Sequence, residues 1–243
     1  MELSNKYIVL TGGTSGVGRQ LVAQLARDNQ LIVLGRDQKK LHALKDQYPT
    51  IMTYQVDLES VRHVHQLGQE LAQDLPKVDV LINNAAVQFM PQIHEDTFVF
   101  ATVEREINTN FTSVCALIHG LLPALSKSKP ARIVNVNSAL GLVPKTSSAV
   151  YCASKGALNI FSQSLRYQFE NSAIRVQQAF LPLVDTDMTK GRGKNKMSPE
   201  SAASAIINGI EKSEKDFDIG AIRFLRVLLA FAPNVARRIL KRT

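Results

Sequence analysis

Tyr151 and Lys155 stand four residues apart in the run Tyr-Cys-Ala-Ser-Lys, and Ser138 closes an apolar stretch thirteen residues before the tyrosine. A phenol, an ammonium and a hydroxyl are the parts of a proton-transfer site. On a helix, residues four apart lie one above the other, so the Lys155 ammonium can stand near the Tyr151 phenol and favour its ionised form. An isolated phenol titrates near pH ~10, and general acid–base work needs a value closer to ambient, which a fixed neighbouring cation supplies. Tyrosine and lysine four apart also occur on helices that do no chemistry, so the pair draws its meaning from what surrounds it.

The amino-terminal stretch adds a second kind of chemistry. Tyr7-Ile-Val-Leu-Thr11 is a β-branched apolar run; Thr11-Gly-Gly-Thr-Ser-Gly-Val-Gly18 follows at once and leads into an amphipathic segment, Val17 to Arg27, with Leu21, Val22 and Leu25 on one face. Glycines at 12, 16 and 18 let the backbone turn tightly and approach a pyrophosphate, whose charge is favoured at a helix amino end by free N–H groups and the helix dipole. The next apolar run, Leu31-Ile-Val-Leu-Gly35, arrives at the spacing of a βαβ unit, which favours a phosphate-binding turn over a plain loop.

These residues resemble the short-chain dehydrogenase/reductase family, and the likeness runs through most of the chain. Its pattern Thr-Gly-x-x-x-Gly-x-Gly is met by Thr11, Gly12, Gly16 and Gly18; Asp57-Leu58 resembles its adenine-side pair, and Asn83-Asn84-Ala85-Ala86 its Asn-Asn-Ala-Gly turn. Asn110, Ser138, Tyr151 and Lys155 fall where the family has its catalytic tetrad. A narrower likeness, carried by Leu183-Val-Asp-Thr-Asp-Met188 and the basic apolar tail, is to the DltE-like bacterial oxidoreductases, and implies no substrate.

The resemblance implies roles residue by residue. Ser138 hydrogen-bonds the substrate oxygen and Tyr151 exchanges a proton with it. Lys155 stabilises the phenolate and holds the nicotinamide ribose, and Asn110 keeps a water in a relay from that lysine. Gly12, Thr14, Ser15, Gly16, Val17 and Gly18 surround the phosphates, Asn84 and Ala85 lie along the cofactor, and Val184 and Thr186 reach its carboxamide. Bland alternatives stand beside these: Ser138 as a strand-end cap, Asn110 as a helix-bending amide, Lys155 as a surface charge. The chain departs from the family at Leu181-Pro182, where Pro-Gly is usual, and more mildly at Ala86 and Ser113. A proline with fixed φ beside the expected nicotinamide pocket puts the path of that loop in question.

The elements that must position these groups read as strands at about 7–11, 31–35, 51–56, 78–82, 131–137 and 174–180, with helical patterns between. Their nearly continuous apolar character suits strands covered on both faces. The expected fold class is α/β: one Rossmann-type doubly wound parallel sheet with helices on both faces, spanning 1–243 as a single domain without linker or repeat. Thr11, Gly35, Asn83, Ser138 and Pro182 then share the carboxyl edge of the sheet, where such folds bind ligands.

An acidic residue after the second strand would accept hydrogen bonds from a free ribose hydroxyl; here Gly35 is followed by Arg36, which predicts NADP(H) in preference to NAD(H). The competing reading makes Arg36 a solvated turn residue paired with Asp37 or another carboxylate. The stretch 188–215 reads as a short substrate lid and helix. Lys190, Arg192, Lys194 and Lys196 make its first part basic, so it either attracts an anionic substrate or the cofactor phosphates, or is a solvated loop. Residues 221–243 hold six cations and no acid, out of a net charge of +8. This basic apolar segment is too short and charged to span a bilayer, and three readings stand: weak peripheral contact with an anionic membrane, cover for a neighbouring subunit, or packing on its own domain.

The first strand begins at residue 7, which leaves no room for a signal peptide before it, so a cytoplasmic enzyme is expected, with Cys115 and Cys152 as free thiols. His42, His63, His65, His94 and His119 make no metal pattern, and no helix carries a groove-reading basic pattern for nucleic acid. The sum is an NADP(H)-dependent carbonyl reductase or alcohol dehydrogenase, expected from the family to form a homodimer or homotetramer around a small-molecule substrate. The other class to weigh is a dinucleotide-binding sensor or scaffold without turnover.

Overall fold

The computed structural model describes residues 1–212 and 215–241. Seven parallel strands form one sheet in the order β3-β2-β1-β4-β5-β6-β7: β1 Tyr7–Thr11, β2 Gln30–Gly35, β3 Met52–Gln55, β4 Val80–Asn83, β5 Ala131–Ser138, β6 Ile174–Leu181 and β7 Phe217–Asp218. The order reverses between β1 and β4, which opens a crevice at their carboxyl ends. Sheet faces are sorted by the two-residue period. Ile8 and Leu10, Leu31 and Val33, and Val80 and Ile82 enter one core with helices α1 (Gly16–Leu25) and α7 (Pro199–Lys212). Val9, Ile32 and Leu81 enter the other, with α3 (Val61–Asp74), α5 (Ser113–Ser126) and α6 (Ala149–Gln168). The remaining helices are α2 (Gln38–Gln47), α4 (Ala101–Ile107), α8 (Ile222–Phe231) and α9 (Pro233–Lys241).

Some boundaries move for identifiable reasons. The fourth strand begins at Val80 rather than 78, because the Val78 N–H donates to Ala124 O instead of entering the ladder. At the third, the Ile51 N–H goes to Tyr48 O, so pairing starts at Met52. The first helix spans Gly16–Leu25 in place of 17–27. A seventh strand was not expected: only Phe217 and Asp218 pair with Ala179 and Phe180, too few residues for a period to register. Between α4 and α5 the chain runs through a π-turn, Asn108–Thr112.

The tail divides its side chains between two environments. Ile222 and Ala236 are buried, and Arg226 stacks 4.5 Å over Phe180 while its Nε donates 2.6 and 2.7 Å to the Asp218 carboxylate. Phe224, Val227 and Phe231 on α8, with Val235 and Ile239 on α9, face outward; Phe231 is 86% exposed. Packing of 221–241 on its own domain accounts for one side of the segment and leaves an apolar stripe exposed; residues 242 and 243, Arg242 among them, lie outside the described residues. No described helix is long and apolar enough to cross a membrane. Cys115 and Cys152 are free thiols.

Candidate active site

The glycine turn is shaped by close approach. Gly12 lies at φ +72, and a Cβ there would come within 2.9 Å of Ala85; a Cβ on Gly18 would stand 2.0 Å from Gly12 O and 2.7 Å from Asn84 Nδ2. Asn84 locks the turn from the next strand: its Nδ2 donates 3.1 Å to Thr11 O, while Thr11 Oγ1 accepts from the N–H groups of Asn84 and Ala85 at 3.0 and 3.1 Å. Ser15 precedes α1 in extended conformation without capping it, and the first turn of α1 carries no acid. Its free N–H groups and positive dipole end therefore face a cavity of about 870 Å³ lined by Gly12, Ser15, Gly16, Val17 and Gly18. These residues fit a dinucleotide pyrophosphate: the backbone is bared by glycine and the donors are unspent.

The same cavity reaches Ser138 and Tyr151, with Lys155 behind them. α6 begins at Ala149, so its first two turns present Tyr151 and Lys155 to the end of β5, where Ser138 stands. Burial pushes the Tyr151 phenol up to about 12, a rise that the nearby Ser138 hydroxyl partly opposes. Burial brings Lys155 down to about 8; its Nζ donates 2.8 Å to Val136 O and lies 5.9 Å from the centre of the Tyr151 ring. Burial is the largest influence on both groups, raising the phenol and lowering the ammonium. Burial thus favours the neutral form of the phenol. Ser138 also serves as a strand-end cap, its Oγ accepting from the Leu140 N–H at 3.2 Å.

Asn110 is buried inside the π-turn with its amide fully engaged. Oδ1 accepts from the Val87 N–H at 2.8 Å, and Nδ2 donates to Val87 O at 2.9 Å and to Ser154 Oγ at 3.1 Å. The side chain ties the loop after β4, which carries Asn84 and Ala85, to the helix that carries Tyr151 and Lys155. Thr186 starts a short 3₁₀ turn, Asp187–Thr189, and with Val184 lines the cavity. The path around Pro182 is fixed by a clip: Asp185 N–H donates to Met197 O at 2.9 Å and Met197 N–H to Leu183 O at 3.0 Å, closing the excursion between them into a loop over the cavity.

Four expected cofactor residues lie beyond the cavity lining, at the carboxyl ends of β1, β2 and β3: Thr14, Arg36, Asp57 and Leu58. Arg36, 62% exposed, makes a 3.7 Å contact with Glu59, a carboxylate that Arg105 Nε already holds at 3.0 Å. Asp57 Oδ1 accepts from the Glu59 N–H, and Leu58 packs toward the core.

Other residues at the site carry no motif. Asn137 bridges Ser138 and Lys155, accepting from the Ser138 N–H at 2.8 Å and donating to Lys155 O at 3.3 Å and to Gln178 Oε1 at 2.9 Å. Its neighbour Asn135 accepts from Asn83 and donates to Ser162, both at 2.8 Å. The signal for them was present: two asparagines inside the apolar run of a central strand need partners when buried. Lys145, Gln88 and Arg192 also line the cavity.

A short chain dehydrogenase family model matches residues 6–197. The oxidoreductase DltE of Bacillus subtilis is 30% identical over 233 residues, covering 93% of this chain and 92% of that protein. Among solved structures, a short chain dehydrogenase from Burkholderia cenocepacia in complex with NADP superposes with a TM-score of 0.87 at 22% identity, over 99% of both chains. A short chain dehydrogenase/reductase from Burkholderia phymatum in complex with NAD gives 0.84 at 20% identity, over 94% of both.

Proposed function

The chain belongs to the short-chain dehydrogenase family, and we propose that it is an NADP(H)-dependent oxidoreductase acting between a carbonyl and its secondary or primary alcohol, with Tyr151 as general acid and base. The observation that carries this reading is that Ser138, Tyr151 and Lys155 line the same cavity whose other end is the bare glycine turn. When bound, the nicotinamide supplies or takes up the hydride. Gly12 through Gly18, with Thr14 and Ser15, hold the phosphates; Asn84, Ala85, Val184 and Thr186 line the nicotinamide side, and Asp57 with Leu58 the adenine side. Tyr151 Oη gives its proton to the carbonyl oxygen, and the Ser138 hydroxyl donates a hydrogen bond to the same oxygen. Lys155 stabilises the phenolate left behind and holds the ribose hydroxyls. Asn110 acts as a positioning residue through Val87 and Ser154, rather than by holding a water with its amide.

Preference for NADP(H) follows from Arg36. β2 ends in Gly35 with no carboxylate to receive a ribose hydroxyl, and the guanidinium's long contact to an already engaged Glu59 leaves it able to turn to a 2′-phosphate. The loop between Val184 and Met197, with α7 behind it, forms the substrate lid. The same reading includes a homodimer or homotetramer through the long helices around Asn110 and Tyr151, α5 and α6, the second of which exposes Ile160 and Tyr167. It also places the outer face of 221–241 in weak contact with an anionic lipid surface.

The test is consumption of NADPH across a panel of aldehydes and ketones. Turnover with NADPH favoured over NADH, and a reversal of that preference in Arg36→Asp, is the expected result. Tight NADPH binding with no carbonyl reduced would leave the protein a dinucleotide sensor, and an unchanged preference in the variant would remove Arg36 from the cofactor site.

A further inference from the structure

Besides Lys155 the cavity is lined, among the described residues, by three cations, Lys145, Arg192 and Lys194, and the charge of two of them, Arg192 and Lys145, reaches Tyr151 or its neighbour Cys152. Arg192 comes from the loop clipped by Val184 and Met197, and Lys145 from the segment that leads into α6; both line the cavity that Ser138 and Tyr151 face. Arg192 is held by neutral groups only. Its Nη1 donates 2.6 Å to Gln88 Oε1, and Gln88 Nε2 donates 2.9 Å to Ser148 Oγ, one residue before α6. A chain of bonds thus fixes the guanidinium against the loop after β4 and the start of the catalytic helix, and leaves its other donors for a ligand.

The two cations lie close enough to act on one another. Burial, then the charge of Arg192, hold the Lys145 ammonium below its ordinary value, and the Arg192 charge also reaches the Tyr151 phenol. Among the described residues no carboxylate comes within 4 Å of either cation; Asp187, the acid of the cavity lining, is not an exception. Like charges brought together in a partly desolvated pocket without a counter-ion cost free energy that a bound anion recovers. A guanidinium with spare parallel N–H groups matches a carboxylate or a similar oxyanion in two bonds at once.

Building on the hydride-transfer reading, we propose that Arg192 and Lys145 form an anion subsite, and that the substrate is a carbonyl compound bearing a carboxylate or equivalent oxyanion a few bonds from the reacting carbon. Gln88 is the positioning residue that aims Arg192. The carbonyl carbon sits by Ser138 and Tyr151 and the anionic end points toward the lid, so the lid closes on the part of the substrate that distinguishes it.

Two matched pairs test this: 4-carboxybenzaldehyde against methyl 4-formylbenzoate, and acetoacetate against methyl acetoacetate. In at least one pair the NADPH-dependent kcat/KM of the acid exceeds that of its ester tenfold or more. That acid-to-ester ratio falls at least tenfold in Arg192→Gln and in Lys145→Met, through KM, while the affinity for NADPH stays within twofold. Esters preferred in both pairs, a ratio unmoved by either variant, or a loss of NADPH affinity that places the cations on a cofactor phosphate would overturn the proposal. Calorimetric titration of the NADP⁺-loaded protein with 4-(hydroxymethyl)benzoate separates the two readings. Binding that depends on Arg192 without turnover upholds the subsite and defeats hydride transfer; turnover with no Arg192-dependent binding does the reverse.

Discussion

At the scale of single residues, the site is defined by groups held away from their ordinary protonation. Glu106 is the clearest case outside the tetrad: it is 1% exposed, and burial raises its carboxyl from 4.5 to about 7, against a hydrogen bond from the Phe89 N–H that lowers it. Between those two values the folded protein holds a proton that the unfolded chain has released, so stability falls as pH rises through that window and levels off above it. The full span is worth on the order of 3 kcal/mol. Glu106→Gln keeps an acceptor for Phe89 and removes the titration, so chemical denaturation of the variant should lose most of the decline seen between pH 5 and 8; an equal decline in both proteins would place the titrating group elsewhere. The Tyr151–Lys155 relation shows the limit of spacing as a guide. Four residues on a helix brought them to one wall, and burial, which no spacing encodes, acts on both, raising the phenol and lowering the ammonium.

At the scale of elements, the glycine turn and α1 were legible because glycine is demanded by contact. Gly18 has Gly12 O where a Cβ would go, whereas a Cβ on Gly156, inside α6, would meet nothing within 4 Å. Gly18→Ala should therefore weaken NADPH binding by at least tenfold, while Gly156→Ala raises stability by roughly 0.5–1 kcal/mol through helix propensity alone. Titration of both variants by NADPH fluorescence checks this, and equal affinities would mean that the turn does not hold the phosphates. Strands buried on both faces were likewise legible from their continuous apolar runs. The π-turn was legible only as the alternative that made Asn110 a helix-bending amide, because the partner of that amide, Val87, lies on the loop after β4. The two-residue β7 and the pairing of Arg192 with Gln88, 104 residues apart, were hidden for the same reason: their determinants lie across space, with no period or motif along the chain.

At the scale of the whole molecule, charge and apolar surface collect at the carboxyl-terminal helices. Leu240 lines the cavity that holds Tyr151 and the Thr146 hydroxyl donates 2.9 Å to Lys241 O, so the amphipathic pair α8–α9 stands beside the candidate site with Phe224 and Phe231 outward. Co-sedimentation with phosphatidylglycerol vesicles should exceed that with phosphatidylcholine, and should drop in a Phe224→Ser, Phe231→Ser variant. No binding to either vesicle, with a lower molar mass in solution for the variant, would assign this face to a neighbouring subunit instead. Around that cavity, residues from β1, β4, β5, β6 and α6 meet because the sheet order brings their ends to one edge, where the Tyr151 phenol stands. The most direct test of that phenol's role is Tyr151→Phe, measured for NADPH affinity by titration and for single-turnover NADPH oxidation with the best carbonyl of the panel. Unchanged affinity with oxidation reduced at least a thousandfold, on the order of what loss of a general acid together with its hydrogen bond removes, is the predicted result; oxidation within tenfold of the unsubstituted protein would contradict it.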